Sequence, residues 1–135
     1  MSKAENNARA VRRFFDALNS GNLENVRPML SDKTVWRPMV RDMSEKPEYR
    51  GNAIIDDFLA PVRGIFKNNG PVVTLTFLAA DENGAAAETD GDGELQDGRV
   101  YSNKYGWFFD IDDGQILCIR EYFDSNYVAR LLAGG

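Results

Sequence analysis

Glu121 is the residue of this sequence best suited to chemistry. It lies in the segment QILCIREYF at 115–123, where strand alternation places it on the same face as Leu117, Ile119 and Phe123. A carboxylate on an apolar face is costly to bury without a partner. Burial also raises its pKa toward neutral pH, where a carboxyl can both give and take a proton. The sequence thus predicts a general acid or base; the alternative is a solvated or Arg-paired residue at the sheet end.

A second group of acids lies in the preceding strand segment, 85–94, at every second position: Glu88, Asp90, Asp92 and Glu94. Their face depends on the hairpin that follows, because a shift of one residue in register turns every side chain of a strand over. A three-residue loop at 96–98 places the acids on the outer face. A four-residue loop at 95–98 turns Glu88 and Asp90 inward as further catalytic carboxylates. The sequence leaves both registers open.

Tyr105 and Asn103 are the candidate hydrogen-bond donors to a carbonyl or a developing enolate. The turn DDG fits a three-residue hairpin loop, which places Tyr105 opposite Glu121. With the four-residue loop of the previous hairpin, Glu88 pairs with Tyr105 and Asp90 pairs with Asn103. Glu88, Tyr105 and Glu121 then form one row across three strands. Two carboxylates in such a poorly hydrated site cannot both ionise readily, so one pKa should rise.

Composition excludes several classes of function. The 135 residues suit a single domain over 1–135, and the net charge of −5 argues against partners such as nucleic acid or anionic membranes. The sequence has no histidine, which removes His-based acid–base pairs and nearly all zinc sites, so we expect neither a metal nor a cofactor. One cysteine, Cys118, and the lack of an apolar N-terminal signal favour a cytoplasmic protein.

The elements that must position these residues follow from periodicity. We expect helices at 4–19, from Asn22 and at 53–67, a strand at 33–37, strands at 72–80, 85–94, 100–111 and 115–123, and a helical tail at 124–132. Helices followed by consecutive strands predict an α+β domain in which an antiparallel sheet and a helix layer enclose a pocket. We expect the pocket to bind a small, mostly apolar cyclic molecule through Asn103, Trp36, Phe15, Leu18, Val62, Phe66, Trp107 and Phe123.

Two segments carry a family resemblance: DGRVYSNKYGWFFDIDDGQILCIREYFD and, upstream of it, FFDALNSGNLENV. Over most of its length the chain resembles the SnoaL-like and ketosteroid-isomerase-like branch of the nuclear-transport-factor-two-like superfamily. The resemblance implies a cone in which a curved antiparallel sheet packs on three N-terminal helices. This cystatin-like roll would hold a deep, mostly apolar central pocket, and its members are commonly dimers.

The resemblance places some family site residues on this sequence. In SnoaL-like polyketide cyclases the acid–base is an Asp at the position of Glu121. In limonene-epoxide-hydrolase-like relatives that position belongs to an Asp-Arg-Asp triad, whose other members fall on Asp90 and, with reversed charge, on Glu88. The Tyr and Asn that hold the attacking water fall on Trp36 and Pro38. Steroid isomerase site residues fall on Phe14, Arg37 and Gly106, and the histidines of scytalone-dehydratase-like relatives are absent.

Residues and resemblance together predict an enzyme acting on a small, mostly apolar cyclic compound. The chemistry would be carboxylate general acid–base catalysis of the isomerase or cyclase type, without a cofactor. The alternatives are an epoxide-hydrolase-like activity and non-catalytic binding of a lipophilic small molecule. We also expect a homodimer through the outer sheet face, from the apolar residues assigned to it: Phe108, Ile116, Cys118, Tyr122, Val72 and Leu78.

Overall fold

The computed structural model describes residues 1–134. Its elements are α1 (Lys3–Asn19), 3₁₀ turns (Leu23–Asn25, Arg27–Met29), β1 (Val35–Pro38), β2 (Tyr49–Arg50), a π-helix (Ile54–Leu59) continued by α2 (Ala60–Arg63), a 3₁₀ turn (Lys67–Asn69), β3 (Val72–Ala80), β4 (Gly84–Glu94), β5 (Val100–Asp112), β6 (Gln115–Phe123) and α3 (Ser125–Ala133). All six strands form one sheet in the order β2-β1-β6-β5-β4-β3. Neighbours are antiparallel except β1 and β6. The predicted α+β class is confirmed, with a mixed sheet and 3₁₀ turns in place of the short second helix.

The long helix α1 confirms the prediction for 4–19. It begins at Ser2, whose hydroxyl accepts a hydrogen bond from the Glu5 amide while the Glu5 carboxylate accepts one from the Ser2 amide. This reciprocal capping box satisfies two amide donors that the helix start leaves free. At the other end, the Asn19 side chain exchanges two hydrogen bonds of 2.7 Å with the Val73 backbone. These bonds fix α1 on β3.

The helix predicted over 53–67 is shorter than expected and contains a π-helical segment. The Ala60 amide donates to the Ile55 carbonyl, five residues earlier, rather than four. The wider turn rotates the positions that follow around the helix axis. Arg63 is consequently turned inward and only 6% exposed, whereas Val62, predicted on the inner stripe, is 43% exposed.

The hairpin between β4 and β5 has the three-residue loop 96–98, which turns the acids of β4 outward. Glu88 lies opposite Gly106, and Asp90 lies opposite Lys104. Glu88 is exposed, and the Asp90 carboxylate accepts a 2.7 Å hydrogen bond from the Lys104 ammonium group on the outer face. The alternative with the four-residue loop, which would turn these two acids inward as catalytic carboxylates, is therefore wrong.

The small residues of β4 explain why this register is the stable one. A Cβ atom at Gly91 would lie 2.5 Å from Cε1 of Tyr105, and one at Gly93 would lie 3.2 Å from Cδ2 of Phe66. Leu95, on the same face, packs in an apolar cluster with Phe66. The small residues on the inner face of β4 thus leave space for large rings from neighbouring elements. Close packing of those rings stabilises the strand pairing that places the acids on the outer face.

The hairpin between β5 and β6 turns over two residues, 113–114, rather than the predicted three. Both residues have positive φ, 50° and 76°, which matches the twist of a tight hairpin. The shorter turn pairs Ile116 with Ile111 on the inner face, so Ile116 is buried and Leu117 is 37% exposed, the reverse of the prediction. A bulge between Asp110 and Ile111 then shifts the pairing of the strands by one further residue.

Beyond the bulge, Glu121 faces inward as predicted. Its neighbour across the strand pair is Trp107, while Tyr105 lies opposite Phe123. The predicted pairing of Tyr105 with Glu121 is therefore wrong by two residues. On the parallel side of β6, Glu121 lies beside Pro38 of β1, so the carboxyl projects from the middle of the sheet.

The core lies between α1 and the inner face of the sheet. Its largest fully buried side chains include Trp36, Phe14, Phe109, Leu18, Ile54 and Ile119. Leu78, predicted on the outer face, packs against this core, whereas Phe108 and Tyr122 are exposed on the outer face as predicted. Within residues 1–134, no helix is both long and apolar enough to cross a membrane.

Candidate functional site

A cavity of about 410 Å³ lies between the sheet, the π-helix with α2, and the C-terminal helix α3. Six of the eight residues predicted to bind substrate line it: Leu18, Trp36, Val62, Phe66, Trp107 and Phe123. Of the predicted catalytic residues, Glu121 and Tyr105 line it as well. The cavity therefore joins an aromatic and aliphatic wall to two of the predicted polar groups.

Two predicted substrate-binding residues lie elsewhere. Phe15 belongs to the core, with its ring centroid 5.2 Å from that of Trp107, behind the cavity wall. Asn103 is buried, and its amide group donates to the Tyr101 hydroxyl at 3.0 Å and to the Asp124 carbonyl at 3.3 Å. Asn103 thus holds Tyr101 in place rather than meeting a ligand directly.

Glu121 is the buried acid of the cavity. It is 9% exposed, and its Oε1 atom accepts a hydrogen bond of 3.2 Å from Nε1 of Trp36. Two other carboxylates among residues 1–134, those of Glu45 and Asp57, also line the cavity, but both side chains are exposed. A general acid–base reaction inside the cavity would therefore depend on Glu121.

Burial raises the pKa of Glu121 to about 7, although the Trp36 hydrogen bond and the charge of Arg63 act in the opposite direction. Burial, the first of the two predicted causes, is therefore the one that acts here, through the loss of hydration around one carboxyl group. The second predicted cause, repulsion from Glu88, does not apply, because Glu88 lies on the other face of the sheet. Near neutral pH Glu121 is poised between its acid and base forms, as a general acid–base requires.

Tyr101 and Tyr105 form a phenol pair beside this acid. Their hydroxyl oxygens are 2.5 Å apart, and both side chains line the cavity. Burial raises the pKa of each phenol, so both keep their protons at neutral pH. The pair can therefore serve as a neutral donor to an oxygen atom of a bound molecule. Tyr101 shares strand parity with Tyr105, which is the signal in the sequence that could have identified it.

Arg63 is a charged cavity residue that was not predicted from the sequence. Its guanidinium group donates to three backbone carbonyls, those of Asn69 (2.9 Å), Leu18 (3.2 Å) and Pro71 (2.7 Å). The available signal was its spacing, since positions 55, 59 and 63 continue one helical stripe that begins with two apolar residues. A charged residue that extends an apolar stripe of a helix indicates a candidate site residue, just as Glu121 does on the apolar face of a strand.

The remaining predicted catalytic residues, Glu88 and Asp90, do not reach the cavity. The inner side of β4 carries small or neutral residues instead, namely Ala87, Thr89 and Gly91. Thr89 accepts a 2.9 Å hydrogen bond from Nε1 of Trp107 and so supports the cavity wall. Among residues 1–134, no three acidic or cysteine side chains come together in a way that could hold a metal ion.

The sequence match agrees with this fold. Residues 11–119 match the model of the SnoaL-like domain. The chain belongs to the SnoaL-like domain family. Among curated proteins, no relative matches the chain.

Solved structures share this SnoaL-like fold at low identity. A protein from Xanthomonas campestris pv. campestris, provisionally named a polyketide cyclase, is 22% identical, with a TM-score of 0.75 over 96% of this chain and 99% of its own. An LEH-like epoxide hydrolase from M. tuberculosis is 20% identical, with a TM-score of 0.73 over 99% and 100%. A Xanthomonas campestris protein of unknown function, described as having a cystatin-like fold, is 16% identical, with a TM-score of 0.73 over 89% and 92%.

Proposed function

We propose that this SnoaL-like protein is an enzyme that acts on a small, mostly apolar cyclic compound by general acid–base catalysis at Glu121. The observation that carries the proposal is the buried Glu121 carboxyl in an apolar cavity, with a pKa raised to about 7. A carboxyl whose pKa lies near the working pH transfers protons most effectively, by roughly 10²–10⁴-fold over the uncatalysed step. No cofactor takes part in the proposed reaction.

The proposed step is a proton transfer at a carbon next to a carbonyl group. Ionised Glu121 takes a proton from that carbon, and the electron pair moves onto the carbonyl oxygen to form an enolate. The neutral Glu121 then returns the proton, either to the same carbon or to another carbon of the conjugated system. The phenol pair of Tyr101 and Tyr105 is the donor suited to the enolate oxygen, because both groups keep their protons and line the cavity.

Isomerase or cyclase chemistry is the form that the cavity favours. The epoxide hydrolase mode implied by family resemblance needs a second inward carboxylate and an arginine from the strand that is β4 here. That strand presents Ala87, Thr89 and Gly91 inward instead. Proton transfer by one carboxyl with a phenol donor needs no further acid, so the groups present are sufficient for it.

Non-catalytic binding of a lipophilic molecule is the second candidate. The observation that favours it is that one buried acid, rather than a pair, faces the cavity among residues 1–134. The two candidates differ in what a neutral amide at position 121 would do. A binding protein would tolerate Glu121→Gln, whereas an enzyme would retain binding and lose turnover.

Hydrogen exchange distinguishes these candidates without knowledge of the natural substrate. We would incubate the protein in D₂O with 2-tetralone and related cyclic ketones, and follow deuterium uptake next to the carbonyl by mass spectrometry. Glu121→Gln should lower catalysed exchange by about 100-fold or more. Glu88→Gln is the matched control, since it neutralises an exposed acid on the opposite face of the sheet.

Binding of the same ketones, measured by tryptophan fluorescence, completes the test. Trp36 and Trp107 both line the cavity and should report an occupant. Exchange that is equal in wild-type protein and Glu121→Gln would contradict the enzymatic proposal. Binding without catalysed exchange would support the second candidate.

A further inference from the structure

Arg63 offers the cavity a hydrogen-bond donor that the protein itself does not use. Its Nε and Nη2 atoms donate to backbone carbonyls, whereas Nη1 has no hydrogen-bond partner among residues 1–134. No fully buried side-chain nitrogen or oxygen atom of those residues lacks a partner, so Nη1 is not sealed in the core. Arg63 is 6% exposed and lines the cavity, so Nη1 is the guanidinium nitrogen still available to a molecule bound there.

The positive charge of Arg63 has no carboxylate partner. None of the ion pairs within residues 1–134 includes it. Backbone carbonyls satisfy its hydrogen bonds but leave the net charge in place. A guanidinium group stays protonated even when buried. A buried cation without a counter-charge is costly, and an anion that reaches it recovers part of that cost.

We infer that Arg63 binds an anionic oxygen of the ligand through Nη1, so that the cavity selects cyclic compounds carrying an ionised acidic group such as a carboxylate or an enolate. The inference rests on the proposed function and specifies the substrate class of the same cavity. The apolar wall would hold the ring system while the guanidinium group fixes its charged end. An arginine suits this task because its donors are oriented by the carbonyls that already hold it.

Several charges oppose an anion and must be weighed. Glu45 and Asp57 line the cavity, but their side chains are exposed, so water and salt screen them. Glu121 is the buried group that would repel an anionic ligand when ionised. Below its pKa of about 7, the Glu121 carboxyl is mostly neutral and does not repel the ligand. Tyr101 and Tyr105 are neutral donors that add to the attraction. Near pH 6 the cavity interior is therefore positive.

A purely structural role is the alternative for Arg63. Its bonds tie the end of α1 at Leu18 to the segment at Asn69 and Pro71, and loss of these bonds would loosen the cavity for every ligand alike. The two roles predict different results when a charged ligand is compared with a neutral ligand of the same shape. A structural role predicts equal losses for a charged ligand and its neutral isostere, whereas anion binding predicts a loss confined to the charged one.

The test uses 2-naphthoate and 2-naphthamide, which share a ring system and differ in charge. Binding is measured by tryptophan fluorescence at about pH 6, where 2-naphthoate is ionised because an ordinary carboxyl pKa is about 4. Wild-type protein should bind 2-naphthoate about ten-fold or more tightly than 2-naphthamide, as expected for one charge-assisted hydrogen bond. Arg63→Gln should abolish this preference, and Arg12→Gln, which removes an exposed charge from α1, should preserve it.

Each outcome bears on the inference. Equal binding of the two compounds by wild-type protein would overturn it while leaving the proposed function in place, since the cavity would still take a cyclic ligand. Binding of neither compound would overturn both the inference and the ligand class of the proposed function. If Arg63→Gln does not fold, equal binding of the two ligands by wild-type protein would still overturn the inference, and a preference for 2-naphthoate that Arg12→Gln retains would support it.

Discussion

Nε1 of Trp36 donates a hydrogen bond to Oε1 of Glu121, 3.2 Å away, in a buried contact between β1 and β6. These strands run parallel and join distant parts of the chain. The contact supplies a single donor to a carboxyl that burial otherwise strips of water. The indole N–H of Trp36 thus limits how far the pKa of Glu121 rises, in addition to the contribution of its ring to the cavity wall.

Trp36→Phe should raise the pKa of Glu121 further, above its value of about 7 in the wild-type protein. The variant removes the donor that favours the ionised form while keeping an aromatic ring in the wall. Carboxyl-resolved ¹³C NMR titration measures the change. Trp107→Phe is the matched control, because that indole group donates to Thr89 instead. Equal pKa changes in the two variants would argue against this role for the Trp36 hydrogen bond.

Glu121→Gln should make the protein more stable at about pH 8. The pKa of Glu121 is raised from 4.5 to about 7 on folding, so protonation favours the folded state. This stabilisation is complete below about pH 4.5 and is lost as the pH rises through about 7, a change on the order of 3 kcal/mol. Urea unfolding at about pH 5 and pH 8 should show that loss in wild-type protein and Glu88→Gln but not in Glu121→Gln. A loss of the same size in all three proteins would show that Glu121 is not its source.

Gly91→Ala should destabilise the protein by roughly 1–3 kcal/mol, because the new methyl group would meet the Tyr105 ring at 2.5 Å. Gly106→Ala is the matched control on the neighbouring strand, where a Cβ would meet nothing within 4 Å. It should be neutral or slightly stabilising. Thermal unfolding of both variants measures the difference. Similar midpoints for the two would contradict the close packing of Tyr105 over β4.

The homodimer remains a prediction, now centred on a corrected set of outer-face residues. Phe108 and Tyr122 pack edge to face there, with ring centroids 5.8 Å apart, and both are exposed. Phe77 extends this apolar surface from β3, whereas Ile116 and Leu78 do not belong to it. Exposed apolar patches of this kind commonly mark interfaces.

Phe108→Asp should convert the dimer to a monomer in sedimentation velocity at micromolar concentration, because it would bury an unpaired charge in the interface. Arg12→Gln changes the net charge by the same amount on the solvent face of α1 and should leave the dimer intact. A wild-type protein that sediments as a monomer under these conditions would exclude the proposed interface.

The sequence predicted the class of the fold and the inward face of Glu121, because both depend on periodicity within single elements. It could not predict the registers, which depend on one residue more or less in a turn. The three-residue loop at 96–98 is stabilised by the fit of the Tyr105 ring over Gly91, a contact between two strands that no single strand's pattern displays. The two-residue turn at 113–114 and the bulge after Asp110 likewise separated Tyr105 from Glu121, by one residue each.

Arg63 escaped sequence analysis for a related physical reason. A regular helix over 53–67 would have turned Val62 toward the core, and the π-helical segment before it rotates Arg63 inward instead. Such segments insert extra residues into a turn without an obvious signature in composition. Parity and helical spacing therefore identified Glu121 and much of the apolar wall of the cavity, whereas the inward position of Arg63 depended on a local irregularity of its helix.

Carboxyl-resolved ¹³C NMR titration of the wild-type protein tests the central claim, that one buried acid in the cavity exchanges its proton near neutral pH. The Glu121 signal is assigned by its absence in Glu121→Gln, and Glu88 serves as an exposed glutamate in the same spectrum. We expect Glu121 to titrate at about 7. A Glu121 signal that titrates at its ordinary value of 4.5 would show that the carboxyl is hydrated, and would contradict its assignment as the general acid–base of this cavity.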